Sequence, residues 1–200
     1  MSEIVIAFIT GVISPVTIIL LKNKLTKKKK SDMVTETLKV SELITNKIED
    51  IRDSYHADRV WLTQFHNGGN FYPTGKSMAK FSIIYESVGP HTNSIQMNLQ
   101  NIPVNLFSKS INYLYQNNII AIPDYLDETI ATYGLKYLAE ECKTKSTYQF
   151  AIKSLDGKFI GTLGVEFTKK KVHLSPEIIK ELHLEVSSLG GVLMSHLQQK

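Results

Sequence analysis

The run STYQFAIKSLDGKFIGTLGVEF, Ser146 to Phe167, decides how this chain folds. Two stretches rich in β-branched and aromatic residues flank Asp156-Gly157, a pair able to enter the left-handed region that a tight primed turn requires. The pattern predicts an antiparallel hairpin of Ser146–Lys153 with Phe159–Thr168. In its second strand Gly161 and Gly164 leave room for a close neighbour, whether backbone, core side chain or ligand.

Downstream, Ser175-Pro176-Glu177 reads as a helix start, with serine as N-cap and proline at the first helical position. Ile178, Leu182, Leu189, Leu193 and Leu197 mark an apolar face running to about Gln198. Gly190-Gly191 costs ~1 kcal/mol per glycine relative to alanine, which predicts a bend or a very close neighbour.

Upstream, residues 31–57 read as a long helix with Val34, Ile44, Ile48, Ile51 and Tyr55 on a narrow stripe, suited to packing on the body or, less well, to a coiled coil. Arg59–His66 reads as a first strand and Phe81–Val88 as a second, joined by a turn at Asn67-Gly68-Gly69-Asn70 and a loop holding Pro73 and Gly75. Residues 89–102 lack a period and read as loop with one edge strand. Pro103 opens a helix to Gln116, ended by Asn117-Asn118; Ile119–Ile122 is a short strand, Asp124–Thr129 an acidic loop, and residues 131–142 a helix.

Ile4–Leu21 is free of charge, and Lys22, Lys24, Lys27, Lys28, Lys29 and Lys30 follow. An apolar helix of that length comes close to the ~30 Å hydrocarbon layer of a bilayer. Because the lysines follow the run and no positive n-region precedes it, the pattern predicts a retained single-pass anchor. Its basic flank stays on the cytosolic side of the inner membrane, and the lysines are drawn to anionic lipid. The expected organisation is 1–30 anchor and lysine run, 31–57 linking helix packed on the body, and 58–200 globular domain.

The formal charge of +4 is unevenly placed: residues 1–30 hold six lysines against Glu3, and residues 31–200 hold 17 basic and 18 acidic groups. A nearly neutral body argues against nucleic acid as a partner. Cys142 is the one cysteine, so neither a disulfide framework nor a cysteine zinc site is expected, and its thiol is read as structural. The histidines at 56, 66, 91, 173, 183 and 196 have no metal-ligand spacing, Gly75-Lys76-Ser77 lacks the rest of a phosphate loop, and no nucleophile elbow occurs. Neither a metal site nor an enzyme is expected.

The candidate binding residues are His66, Asn67, Tyr85, Glu86 and Trp61. Alternation places His66 with Val60, Leu62 and Gln64, and Glu86 with Ile84 and Val88, so antiparallel pairing could bring imidazole and carboxylate together. The alternative is a histidine capping a glycine turn and a carboxylate satisfied by backbone. Trp61, Phe65, Phe71, Tyr72, Phe81 and Tyr85 cluster around this first hairpin, as core or as a cage for a flat ligand.

The order of elements, with Phe65-His66-Asn67-Gly68, the Phe81–Val88 strand, Gly161-Thr-Leu-Gly164 and the Ser175-Pro176 helix, resembles a GAF domain over roughly residues 32–198. GAF domains are small sensor modules related to PAS domains. The resemblance implies an α/β (α+β) fold: an antiparallel sheet with the N- and C-terminal helices on one face and a roofed pocket on the other, here preceded by one transmembrane helix. It implies a regulatory module that binds a small molecule or recruits a partner, with a homodimer through the terminal helices. No pocket cysteine for bilin attachment and no Asn-Lys-Phe-Asp-Glu run of cyclic-nucleotide binders is recognised, so the ligand or cofactor stays unknown. One anchor plus an α/β domain also resembles phage-type holins, and a scaffold with a self-filled pocket is a third reading.

Overall fold

A computed structural model describes residues 33–127, 129, 134–154 and 156–197. The apolar run Ile4–Leu21 and Lys22–Lys30 lie outside them, as do residues 131–133 of one expected helix. Among the described residues no helix is long and apolar enough to cross a membrane. The chain groups into Met1–Lys39, whose described residues are helical, and Val40–Lys200, which holds the sheet and the core.

The elements are α1 (Met33–Ser54), β1 (Arg59–Phe71), β2 (Lys76–Val88), β3 (Ile102–Pro103), a 3₁₀ turn (Val104–Phe107), α2 (Ser108–Asn117), β4 (Ile119–Ile122), α3 (Lys136–Glu141), β5 (Ser146–Lys153), β6 (Phe159–Phe167) and α4 (Pro176–Leu197). The six strands form one antiparallel sheet in the order β3-β2-β1-β6-β5-β4. The first and last long helices share one face of it. Ile44, Ile48 and Ile51 of α1 and Leu182, Val186 and Leu189 of α4 bury against Val60, Leu62, Phe150, Leu163 and Val165. Glu185 of α4 ties the two helices, accepting from Lys47 Nζ at 2.6 Å and from the Tyr55 hydroxyl at 2.9 Å.

The glycine pair in α4 marks a close approach. A Cβ on Gly190 would meet Ile152 Cγ2 at 3.0 Å, so the helix backbone packs directly on β5, whereas Gly191 faces open space.

Three local expectations are corrected. Asn67-Gly68-Gly69-Asn70 is a bulge inside β1, with Gly69 at φ 78°, because pairing with β2 resumes at Asn70 and Phe71. The chain turns instead at Tyr72-Pro73-Thr74-Gly75, where the Gly75 N–H donates to the Phe71 carbonyl at 2.8 Å and Gly75 takes φ 68°. The Asp-Gly turn is not of the primed two-residue kind: among its described residues only Gly157 has positive φ, at 80°, and the loop closes by Gly157 N–H to the Ser154 carbonyl at 2.8 Å and Ser154 N–H to the Lys158 carbonyl at 2.9 Å. That is the longer hairpin loop ending in a left-handed residue. Finally, the helix expected over 103–116 begins as the 3₁₀ turn and becomes α-helical at Ser108, with Asn118 left-handed at φ 67° as its C-cap.

Candidate functional site

The sheet face opposite the long helices carries a cavity of about 60 Å³. Its floor comes from alternate residues of the central strands: Trp61, Thr63 and Phe65 of β1, Phe81 and Ile83 of β2, Gln149 of β5, and Thr162 and Glu166 of β6. Its roof comes from Ile95 and Leu99 of the loop 89–101, from Leu114 and Ile111 of α2, and from Leu135, Leu138 and Ala139 around α3. Glycine makes this floor possible. Trp61 faces Gly164 across the β1–β6 ladder, and a Cβ there would stand 2.2 Å from the indole ring.

Charge in the floor is neutralised internally. Arg59 and Glu166, register partners on β1 and β6, form a buried ion pair, with Arg59 Nε donating to Glu166 Oε2 at 2.8 Å. The other carboxylate oxygen accepts the Trp61 indole N–H at 2.9 Å, and the Thr144 hydroxyl donates to Oε2 at 3.0 Å. The guanidinium also donates to the carbonyl of Asn93 at 2.9 Å and to the Thr144 hydroxyl at 3.1 Å, so it binds roof to floor. A buried charge this well bonded stays in place, because stripping its partners is costly.

Hydroxyls satisfy one another too. Thr63 Oγ1 and Thr162 Oγ1 lie 2.6 Å apart, and the Thr162 N–H donates to Thr63 Oγ1 at 3.0 Å. Burial, then the Glu166 charge, push the Tyr125 hydroxyl well above the ordinary tyrosine range. Gln149 is a cavity-lining group without such a bond. Its side chain lines the cavity at 7% exposure, and its amide has no hydrogen bond among the described residues. A polar side chain this little exposed is normally paired, and the cavity gives its amide room for a partner.

The five residues singled out from sequence are dispersed. Trp61 lines the cavity. Tyr85 is on the helix face, its hydroxyl 3.0 Å from Ser41 Oγ. Glu86 caps the roof loop: its carboxylate accepts the Ser94 hydroxyl, the Ile95 N–H at 2.9 Å and the Gln96 N–H at 3.1 Å, which seats Ile95 over the cavity. His66 Nε2 shares a 3.0 Å hydrogen bond with Ser82 Oγ, which accepts the Asn101 N–H at 2.9 Å. Asn67 is exposed on the protruding part of β1.

His66 and Glu86 are not brought together: His66 pairs with Lys80 and Glu86 with Trp61. Register keeps them apart, because the partner of Glu86, Trp61, stands well before His66 on β1; between the two, a bulge also intervenes, since Leu62 pairs with Tyr85 but Thr63 with Ile83, leaving Ile84 as an extra residue. Alternation is reset there, so Tyr85 turns to the helices and Glu86 to the roof.

Cys142 also stands in the cavity wall. Burial, then the Glu166 carboxylate, push its thiol up to about 11, so it is protonated at neutral pH. Among the described residues no three His, Cys, Asp or Glu side chains gather as a metal site.

Two helices on one sheet face and a roofed cavity on the other give this chain a GAF-like fold. Its likeness to solved structures is to photoreceptor domains of that fold. A far-red cyanobacteriochrome photoreceptor matches with TM-score 0.63 and 14% identity over 88% of this chain and 98% of that one. The GAF domain of Thermosynechococcus elongatus PixJ, in its blue-light absorbing form, matches with TM-score 0.62 and 16% identity over 82% and 92%. The phycoerythrobilin-bound GAF domain from a cyanobacterial phytochrome matches with TM-score 0.61 and 18% identity over 84% and 95%. At these identities the likeness is one of fold. No protein-family model and no curated protein matches the sequence.

Proposed function

We propose that this chain is a regulatory GAF-like module whose cavity takes a small uncharged molecule, held by the Gln149 amide against a largely apolar wall. The observation that carries this reading is the unpaired Gln149 amide lining a cavity whose charged groups are already matched. A carbonyl, amide or hydroxyl on the ligand would complete it. The volume of about 60 Å³ is far below the ~300 Å³ of a drug-sized site, which favours a ligand of few atoms over a bilin such as the one named in a structural neighbour.

The same reading makes Ile4–Leu21 a membrane tether with the domain on the cytosolic side, and the outer faces of α1 and α4, where Leu43 and Leu184 are exposed, the contact of a homodimer. Binding in the cavity would act through the roof on whatever partner it meets.

Native mass spectrometry of the full chain released from detergent, followed by denaturing extraction, tests the binding. A discrete small mass on the wild type that is absent from Gln149→Leu supports the sensor. A bare chain, with Gln149→Leu more stable than the wild type, favours a second reading to which the small volume also lends support: a scaffold that fills its own pocket.

A further inference from the structure

The near balance of charge over residues 31–200 hides a local excess. A groove of about 820 Å³ opens where three segments meet: Asp124–Leu126 after β4, α3 with the turn to Lys145, and Thr168–Lys171 after β6. Six lysines line it, Lys136, Lys143, Lys145, Lys169, Lys170 and Lys171, against Asp124 and Glu140. Ion pairs neutralise two of them, Lys171 with Asp124 at 2.6 Å and Lys169 with Asp58 at 2.9 Å. Among the described residues Lys136, Lys143, Lys145 and Lys170 have no carboxylate partner.

The backbone under these lysines is fixed. Asp58 accepts the N–H groups of Thr168 at 2.8 Å and Lys169 at 3.0 Å, and the Lys145 N–H donates to the Phe167 carbonyl at 2.8 Å. Lys143 ends α3 in the left-handed region, at φ 57°, with the Thr144 N–H donating to the Ala139 carbonyl at 2.7 Å. That position normally belongs to glycine, since a Cβ is disfavoured there. Here it holds a lysine that lines the groove.

Four ammonium groups without a carboxylate partner repel one another, Lys145 Nζ donating to the Lys169 carbonyl at 2.6 Å, and a concave surface concentrates their field. No arginine stands among the described lining residues, so the flat two-point fork that suits a carboxylate is missing, whereas lysine point charges suit clustered phosphate oxygens. We propose that this groove binds a multiply charged phosphate group, carried either by a lipid headgroup or by a soluble phosphorylated compound. The site is independent of Gln149 and of any cavity ligand.

The test is calorimetric titration of the full chain in neutral detergent with inorganic tripolyphosphate at low and high salt. The wild type binds, with affinity falling as salt rises. Lys136→Gln/Lys143→Gln/Lys170→Gln weakens binding on the order of a hundredfold. A control with the same loss of charge at exposed positions elsewhere, Lys76→Gln/Lys109→Gln/Lys180→Gln, binds nearly as the wild type does. Cosedimentation with vesicles of phosphatidylcholine, with or without phosphatidic acid, separates the sources. A preference for phosphatidic acid lost only in the groove variant assigns a headgroup, and equal vesicle binding by all three chains beside the calorimetric difference assigns a soluble compound. No tripolyphosphate binding by the wild type, or equal weakening in both triple variants, overturns the proposal.

Discussion

Trp61 lies against Gly164, its partner across β1 and β6, so tightly that any Cβ on the glycine would stand 2.2 Å from the ring. The indole N–H of the same ring donates to Glu166 at 2.9 Å, so the ring cannot slide away without losing that bond. Gly164→Ala is therefore expected to destabilise the fold by ~1–3 kcal/mol. It should also shift the emission of Trp61, the one tryptophan, which fluorescence during urea unfolding reads directly. An unchanged spectrum and midpoint would show that the floor yields without cost.

The Arg59–Glu166 pair is a second point of stress. Arg59→Met leaves a carboxylate buried against an indole and a threonine hydroxyl, and the expected loss is ~3–5 kcal/mol. Arg59→Met/Glu166→Met removes both charges and should recover part of that loss. A double variant as unstable as the sum of the two single ones would argue that the charges do not act as a pair.

Asp58 sets a dependence on acid. Burial pushes its carboxyl up, but hydrogen bonds from Lys169 and the Thr168 and Lys169 backbone outweigh that and hold it below the usual carboxylate range. A lowered folded pKa means the unfolded chain takes up the proton first. The stabilisation is thus complete above the ordinary value of ~3.9 and is lost as pH falls through the folded value. Thermal midpoints measured from neutral pH downward should drop more steeply in the wild type than in Asp58→Asn once pH passes below about 4. Parallel curves would remove Asp58 from the account.

Cys142 should be a slow thiol. With its pKa pushed up to about 11, its thiolate fraction at about pH 8 is on the order of a hundredfold below that of a free cysteine. Alkylation by iodoacetamide, followed by mass, should be sluggish and should quicken as pH rises toward about 11. Fast modification at neutral pH would mean that the cavity wall opens readily.

How far the sequence could be read depended on whether a residue's neighbours kept a strict period. The β5–β6 hairpin, β4, and both long helices were legible because Tyr148, Phe150 and Ile152, or Ile44, Ile48 and Ile51, repeat at the spacing of one buried face. The first hairpin was not, because Asn67-Gly68-Gly69-Asn70 satisfies a turn and a bulge equally well, and only continued pairing beyond it decides. Ser82-Ile83-Ile84-Tyr85-Glu86 gives no sign of where the extra residue falls, so simple alternation groups Glu86 with Ile84, whereas Ile84 packs toward the helices and Glu86 holds the roof loop. Gln149 carried a usable signal: a lone amide amid Tyr148, Phe150, Ala151 and Ile152, in a strand buried on both sides, needs a partner. The roof residues Ile95 and Leu99 carried none, since their segment has no period and is placed by Glu86, Gln96 and Gln100 bonding to distant backbone or side chains.

Arg59 reaches the roof at two places far apart in sequence, the Asn93 carbonyl and the Thr144 hydroxyl, from a single guanidinium fixed to Glu166. Opening either place alone strands part of a buried cation, so the cheaper route is to release both together. Measured by hydrogen exchange, amides around Asn93 and around Thr144 are therefore expected to open at a common free energy, although fifty residues of chain lie between them. Two pieces of the roof are thus joined through the floor rather than through each other.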